Sequence, residues 1–294
     1  MTKNPKHPLA EVFGFPVDNL TEEAVRYRNN RLCPYNNKVP SCTKDKAKAP
    51  LGVCSVFEQG GMAITCPIRF REGWLIVEDA AGFFFQGDTD WTTLQEVRLA
   101  DKNGQSAGNI DLVLVSYDDE GRVKDFGSLE VQAVYISGNV RLPFEHYMKD
   151  PAARKEMEWK DTSVRPDYLS SSRKRLVPQM IYKGGILKSW GKKQAVALHR
   201  GFYDTLPRLP VVEKDEADIA WFVYDTTLDS STNRYRLAKT DTIYTRFEPA
   251  LKKITTPLPG PLDAFVSILQ GKLDEQLESE NPPDVEEKKD KLII

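Results

Sequence analysis

The stretch GNIDLVLVSYDDEGRVKDFGSLEVQAVY, residues 108–135, decides the fold because it contains two apolar segments joined by a charged turn. Such segments are typical of β-strands, and the DDEG between them is a turn signal, so the sequence predicts a β-hairpin. Polar residues interrupt both apolar segments: Asp111 lies in the first strand, and Glu130 and Gln132 lie in the second. Since a buried polar group needs a partner, these residues are candidates for a functional site.

The alternation of side chains along a strand places the polar residues on defined faces. Asp111 shares a face with Val113, Glu130 shares a face with Gln132, and folding about the turn brings Asp111 roughly opposite residues 128–130. Like charges opposite each other destabilise a sheet, and a divalent cation removes that penalty. Mg²⁺ commonly takes one or two carboxylates together with water and phosphate oxygens. The pattern therefore predicts a Mg²⁺ site of the kind that nucleases use.

Composition limits the class of protein. The chain has 294 residues, 40% of them hydrophobic, and a net charge of −2, so it can bury a core but is not a polycation. A nucleic-acid partner must therefore meet a local basic patch. The chain has no apolar run near the ~18 residues of a membrane span, and no N-terminal signal segment. We therefore expect a cytoplasmic protein that does not contact a membrane.

The cysteines form a cluster in the sequence: Cys33, Cys42, Cys54 and Cys66 are the four cysteines of the chain. A reducing compartment disfavours disulfides, and clustered thiolates are ligands for zinc or iron, so the cluster predicts a structural metal site. The spacing contains no C-x-x-C pair, which leaves four unrelated buried thiols as an alternative. Disulfides in a secreted protein are a further alternative, which the missing signal segment disfavours.

The pattern along the chain predicts four segments. They are an N-terminal lead-in (1–24), a loop-rich four-cysteine metal-binding module (25–72), a core with DNA-binding and dimerisation elements (73–270), and a charged, mobile C-terminal tail (271–294). Within the core, Thr89 or Asp90 is a plausible N-cap for a helix over residues 91–97. Residues 141–200 look largely helical, and residues 218–225 look like a buried strand.

Taken together, these motifs resemble a known family. GNID followed by LEVQAVYISGN resembles the PD-(D/E)xK nuclease motif in the variant used by NotI-type restriction endonucleases, where glutamine replaces the usual final lysine. Glu96 resembles an acid that those enzymes carry ahead of the aspartate, and the cysteine cluster resembles their small iron-binding domain. The resemblance covers roughly residues 25–240. It implies an α/β fold, with a mixed central sheet flanked by helices and a four-cysteine metal-binding module near the N-terminus.

The resemblance also implies a role for each candidate residue. Asp111 and Glu130 would bind Mg²⁺, with the backbone carbonyl of Val131 as a third ligand, and Glu96 would hold a second metal or a metal-bound water. Gln132 can hydrogen-bond the attacking water or the phosphate, but its neutral amide supplies no positive charge. Cys33, Cys42, Cys54 and Cys66 would hold one structural iron or zinc ion.

The implied function is that of a type II restriction endonuclease, which hydrolyses a GC-rich palindrome in double-stranded DNA. Cutting both strands of a palindrome needs two active sites, so we expect a homodimer with two-fold symmetry. The candidate DNA contacts are basic residues beside Cys66 and along the helical segment: Arg69, Arg71, Arg173, Lys174, Arg175, Lys183 and Lys192. For any one of them the alternative is a solvated helix surface.

Two other functions remain open from the sequence. A nuclease of the same fold could serve repair or the processing of mobile elements. A catalytically inactive, DNA-binding relative is the other possibility, because a missing lysine can mark an inactive site. Mg²⁺-dependent cleavage, and a discrete fragment pattern, would distinguish the three functions.

Overall fold

The computed structural model describes residues 6–36, 41–44, 49–58 and 61–277. The chain divides into two compact units, residues 1–255 and residues 256–294. No helix in the described ranges is both long and apolar enough to cross a membrane. The predicted cysteine segment, residues 25–72, lies in the first unit, and the predicted core, residues 73–270, extends past the boundary near residue 255.

A small antiparallel sheet occupies the N-terminal part of the first unit. Its strands are β1 (Leu9–Val12), β2 (Phe15–Pro16), β3 (Val53–Glu58) and β4 (Gly61–Ile64), in the order β2-β1-β3-β4. Helix α1 (Glu22–Asn29) begins after Thr21, whose hydroxyl accepts a hydrogen bond from the Ala24 backbone N–H. The predicted N-terminal lead-in therefore contributes two buried strands, β1 and β2, and β1 pairs with β3.

The other strands follow in chain order. They are β5 (Trp91–Ala100), β6 (Ser106–Tyr117), β7 (Val123–Gln132), β8 (Tyr135–Ser137), β9 (Arg165–Asp167), β10 (Gln194–His199), β11 (Ile219–Asp229) and β12 (Arg234–Thr245). Six of them form the central sheet in the order β12-β11-β10-β7-β6-β5, and β8 pairs with β9 separately. Strands β7, β10 and β11 run parallel, whereas the outer pairs are antiparallel. The sheet is therefore mixed, as predicted.

Helices flank this sheet. They are α2 (Leu75–Phe84), α3 (Arg141–Lys149), α4 (Pro151–Arg154), α5 (Tyr168–Ser171), α6 (Val177–Gln179), α7 (Gly185–Ser189), α8 (Arg200–Tyr203) and α9 (Phe247–Thr255). Helix α10 (Leu262–Leu277) belongs to the second unit. Short 3-10 helices cover Pro67–Trp74 and Lys214–Glu216. Two π-helical turns, Ser172–Leu176 and Met180–Gly184, join α5, α6 and α7 into one helical segment, residues 168–189.

The two faces of the central sheet pack against different helices. On one face, Leu112, Leu129 and Val131 pack with the apolar side of α2. Gly127 allows this close approach, because a Cβ atom there would lie 2.5 Å from the Phe84 ring. On the other face, Val196 packs with residues of the helical segment 168–189. Since side chains alternate along each strand, Asp111 and Glu130 face that helical segment.

Part of the helical prediction is confirmed. Residues 168–189 are helical, but residues 194–199 form strand β10 at the centre of the sheet. Residues 91–97, predicted as a capped helix, lie in strand β5 and pair with β6. The buried strand predicted over residues 218–225 is confirmed as the first part of β11. The predicted tail is helical up to Leu277, and its remainder lies outside the described residues.

Candidate active site

The register of the hairpin brings two acids side by side. At this end, the ladder between β6 and β7 stops at the pair Leu112 and Leu129, so the next position along the two strands places Asp111 opposite Glu130. The Asp111 carboxylate accepts a hydrogen bond from the Val131 backbone N–H at 2.8 Å, where the main-chain ladder has stopped. The pairing expected from the sequence is therefore confirmed, and a side chain of one strand caps the backbone of the other.

Glu130 is a buried acid, and one of its carboxylate oxygens has no hydrogen-bond partner among the described residues. Its residue is 7% exposed, and its Oε1 atom has no hydrogen-bond partner among the described residues. Burial, together with the neighbouring Asp111 carboxylate, raises the pKa of Glu130 to about 7. A buried oxygen without a partner is costly for stability. The pair therefore offers negatively polarised oxygens that a cation can satisfy.

A lysine enters the same site from the helical segment. The Lys183 ammonium donates to Glu130 Oε2 at 2.7 Å and to the backbone carbonyl of Asn109 at 2.8 Å. Its residue is 3% exposed. Gly108, whose φ is 107°, lies beside the aliphatic stem, and a Cβ atom there would lie 3.9 Å from Lys183 Cδ. The sequence-based prediction assigned Lys183 to a DNA-binding surface, whereas the structure buries it beside the acids.

Gln132 is also held from the helical segment. Its side-chain amide donates a hydrogen bond to the side-chain oxygen of Gln179. Gln179 and Lys183 are four residues apart and therefore lie on one side of the helical segment, as Glu130 and Gln132 lie on one face of β7. Two side chains of the helical segment thus contact two side chains of β7: Gln179 contacts Gln132, and Lys183 contacts Glu130.

Glu96 lies next to this pair along the sheet. The pairs Gln95 with Leu112 and Val97 with Ile110 place the Glu96 backbone opposite Asp111. Its φ is 54°, an unusual value for a residue in a strand, and strained backbone is concentrated at functional sites. The side chain is exposed. The described residues contain no group of three or more His, Cys, Asp or Glu arranged to hold a metal, so Glu96 does not complete a three-carboxylate cluster with the other two acids.

The predicted DNA contacts divide into exposed and engaged residues. Arg173 and Lys174 are exposed on the helical segment. Arg175 lies over the Tyr135 ring, with its guanidinium carbon 4.9 Å from the ring centroid. Lys192 forms an ion pair with Asp125 at 2.6 Å. Arg71, which is half-buried, donates to the Gln95 side chain at 3.4 Å.

Arg69 is a structural residue and does not form part of a DNA-binding surface. Its side chain is fully buried, and its Nε atom lies 3.0 Å from Glu11 Oε2. Its terminal nitrogens donate to Glu72 at 2.7 Å and to the Tyr235 backbone carbonyl at 2.8 Å. The guanidinium also stacks over the Tyr35 ring. All three of its side-chain nitrogens donate to acceptors within the fold, so its assignment as a DNA contact is corrected.

The cysteines are neighbours but do not form the expected metal site. Cys54 and Cys66 are buried, while Cys33 and Cys42 are half-buried. Burial raises the pKa of Cys33 to about 11, with smaller contributions from the neighbouring thiols of Cys66 and Cys42. The described residues contain no group of three or more His, Cys, Asp or Glu that could hold a metal ion, so the structure does not support the predicted iron or zinc site.

Sequence reasoning missed Gln179 and did not place Lys183 beside the acids. Both lie about fifty residues after Glu130, and no local motif links them to the hairpin. The available signal was their spacing of four on a predicted helix, which puts a polar pair on one helix face. That spacing is common on solvated helices, so packing against β7 had to be seen directly.

The sequence of the chain is similar to that of a known protein family. A family model described as Restriction endonuclease NotI matches residues 16–237, which is well over half of the 294 residues. The matched range contains Glu96, Asp111, Glu130, Gln132 and Lys183. A search of curated proteins found no match.

Proposed function

The chain belongs to the restriction endonuclease NotI family, and from this premise we propose that it hydrolyses double-stranded DNA at a specific GC-rich palindrome with the help of Mg²⁺. Family membership implies a type II restriction endonuclease, that is, a site-specific deoxyribonuclease. The palindrome and its GC-rich character follow from the resemblance of the motifs. The described residues add a candidate site for the chemistry, which we assign to a PD-(D/E)xK nuclease core.

The contact between the Asp111 and Glu130 carboxylates carries the proposal. The acids meet at the end of the β6–β7 ladder, Glu130 Oε1 is buried without a partner, and Asp111 raises the pKa of Glu130. Two carboxylates are a sufficient protein contribution to a Mg²⁺ site, since water and phosphate oxygens complete the shell. The donor set therefore fits Mg²⁺.

The residues that would hold Mg²⁺ are Asp111, Glu130 and the backbone carbonyl of Val131. When bound, the ion supplies Lewis-acid polarisation and eases the deprotonation of water. In the hydrolysis, an oxygen–phosphorus bond forms from water and one ester bond breaks, which gives a phosphate monoester and a hydroxyl group. Gln132, oriented by Gln179, can hydrogen-bond the water or a phosphate oxygen. We retain Glu96 as a support for bound water because its strained backbone lies opposite Asp111.

DNA binding and dimerisation are part of the same proposal. Arg173 and Lys174 are exposed on the helical segment that carries Lys183 into the site, so they are the best-placed phosphate contacts among the predicted ones. Phosphate contacts fix the position of the protein on the duplex. A homodimer would supply the second active site that a cut in both strands of a palindrome needs.

The decisive test is incubation of the purified protein with long DNA and Mg²⁺, followed by sequencing of the ends. We expect discrete fragments with uniform termini, no cleavage when Ca²⁺ replaces Mg²⁺, and much slower cleavage when Asp111 is replaced by Asn. A smear of fragments would favour a nuclease of repair or mobile-element processing. Binding without cleavage at high protein excess would favour the inactive relative and contradict the proposal.

A further inference from the structure

The acid pair and Lys183 have unequal charges. Asp111 and Glu130 can bring two negative charges to the site, and the Lys183 ammonium brings one positive charge to Glu130 at 2.7 Å. A buried ammonium is stable only when it is paired and hydrogen-bonded, since removing a charge from water is costly. Lys183 meets this demand through Glu130 and the Asn109 carbonyl, whereas the second acid, Asp111, contacts a backbone N–H rather than a cation among the described residues.

The ammonium also has donor capacity that its recorded contacts leave over. It carries three N–H groups. One is directed to Glu130 Oε2 and one to the Asn109 carbonyl, in the hydrogen bonds of the described residues. The third has no acceptor in those hydrogen bonds. Lys183 contacts Oε2, and the Oε1 atom of Glu130 is buried without a hydrogen-bond partner among the described residues.

The helical segment delivers the lysine to a fixed position. Lys183 lies in the π-helical turn Met180–Gly184, and π-helical turns are frequent at functional sites. Gln179 contacts Gln132 while Lys183 contacts Glu130, so two neighbouring pairs fix how the helical segment lies along β7.

We infer that Lys183 is the active-site cation of this enzyme: it holds Glu130 through Oε2 and donates its remaining N–H to an oxygen of the scissile phosphate. The inference rests on the proposed function and deepens it. Gln132 of the strand motif cannot supply a positive charge, and we assign that charge to a residue of the helical segment. Lys183 gains and loses no proton in this role. A preorganised donor aimed at developing charge is among the strongest contributions to catalysis.

The test is single-turnover cleavage across a range of Mg²⁺ concentrations for Lys183→Met, with thermal unfolding and metal-free DNA binding measured on the same samples. We expect the rate at saturating Mg²⁺ to fall about 100-fold or more, while DNA affinity and fold are retained. The Gln132→Lys, Lys183→Met double variant returns a lysine to the strand, and we expect it to recover about tenfold of the lost rate. That recovery also covers the case in which the single variant folds poorly.

Lys188→Met is the matched control, because Lys188 lies on the same helical segment and pairs with Asp218 at 3.0 Å near the surface. Its rate should stay within about twofold of wild type, since such pairs contribute little.

Three outcomes separate the inference from the function on which it rests. If Lys183→Met keeps the saturating rate but needs less Mg²⁺, Lys183 is merely a counter-ion for Glu130 and the inference is wrong, although the enzyme assignment stands. If its melting temperature falls while its rate per folded molecule is unchanged, the role is structural and the inference is also wrong. If wild-type protein cuts no DNA, both the inference and the proposed function fail.

Discussion

Two buried carboxylate–cation pairs lie in different regions of the molecule, and they are built differently. In the N-terminal sheet, both oxygens of Glu11 accept from Arg69 Nε, and Ser55 donates to one of them at 2.8 Å. In the central sheet, Glu130 uses one oxygen for Lys183 and leaves the other without a partner among the described residues. An ion pair whose carboxylate oxygens are all hydrogen-bonded (a filled pair) stabilises the fold. An ion pair with one buried oxygen that lacks a partner (an unfilled pair) can still bind a cation.

The cations differ in the same way. Arg69 is fixed by Glu11, Glu72, a backbone carbonyl and the Tyr35 ring, and neighbouring carboxylates raise its pKa. The Lys183 ammonium donates to two acceptors, Glu130 Oε2 and the Asn109 carbonyl, from a flexible aliphatic side chain. Arginine suits a rigid, multiply bonded ion pair, and lysine suits a site where one donor must remain available. We therefore assign the first pair to stability and the second to catalysis.

Among the substitutions that test this comparison, Asp111→Asn should have the largest effect, which is on the rate of DNA cleavage. Asn keeps the size of the side chain but removes the charge that pairs with a divalent cation, so we expect cleavage to slow by about 10⁴-fold, ~5.5 kcal/mol in the barrier. Single-turnover cleavage of long DNA measures it. The control is the Asp119→Asn variant, which changes an exposed acid in the turn and should cleave DNA at the wild-type rate. Equal cleavage by the Asp111 variant would remove this acid from the active site.

Arg69→Met tests the filled pair. Removing one partner leaves Glu11 and Glu72 buried without their cation, which should lower the free energy of unfolding by about 3–5 kcal/mol. Chemical denaturation measures this change. Cleavage per folded molecule should be unaffected. Arg71→Met, at a half-buried arginine with one weak contact, should cost less than about 1 kcal/mol. Similar stability of the two variants would contradict the structural role of Arg69.

The pH dependence of stability tests the unfilled pair. The pKa of Glu130 is raised from 4.5 to about 7, so between these values the folded protein binds a proton that the unfolded chain has released. Stability of the metal-free protein should therefore fall as pH rises through this window, by up to ~3 kcal/mol at about 1.4 kcal/mol per pKa unit. Denaturation in EDTA between pH 5 and pH 8 measures the slope. Glu130→Gln should flatten it, and an unchanged slope would contradict the assignment.

The smallest effect concerns DNA affinity. Replacing exposed Arg173 and Lys174 with Ala should weaken Mg²⁺-free binding to DNA of any sequence and reduce the slope of log affinity against log salt by about 2. Fluorescence anisotropy at several salt concentrations measures it. The Lys252→Ala, Lys253→Ala pair on α9 is a matched control with the same loss of charge. Equal salt slopes for both pairs would place the DNA elsewhere.

Local signals predicted the hairpin and its acids well. Asp118 closes the turn by accepting from the backbone N–H groups of Glu120 and Arg122, a pattern that the DDEG sequence announces. From this turn, alternation fixes which side chains share a face, so the meeting of Asp111 and Glu130 could be predicted. The mixed α/β class could be predicted for the same reason.

Other features depend on distant partners and could not be predicted. The cap signal at Thr89 and Asp90 favoured a helix, but pairing with β6 makes residues 91–97 a strand with alternating exposure. Arg69 looked like a surface arginine until Glu11, fifty-eight residues away, was seen to bury it. The cysteine spacing predicted that the four thiols lie in one region. It could not predict how the sulfur atoms are arranged, and a metal site depends on that arrangement.

The central claim is that Asp111 and Glu130 together bind a divalent ion beside Lys183. Crystals grown with Mn²⁺, which scatters anomalously, test this most directly. We predict an anomalous peak in contact with both carboxylates, on the Oε1 side of Glu130, that is absent in Asp111→Asn crystals. A peak that avoids both acids, or none at saturating Mn²⁺ with the carboxylates well ordered, would contradict the account.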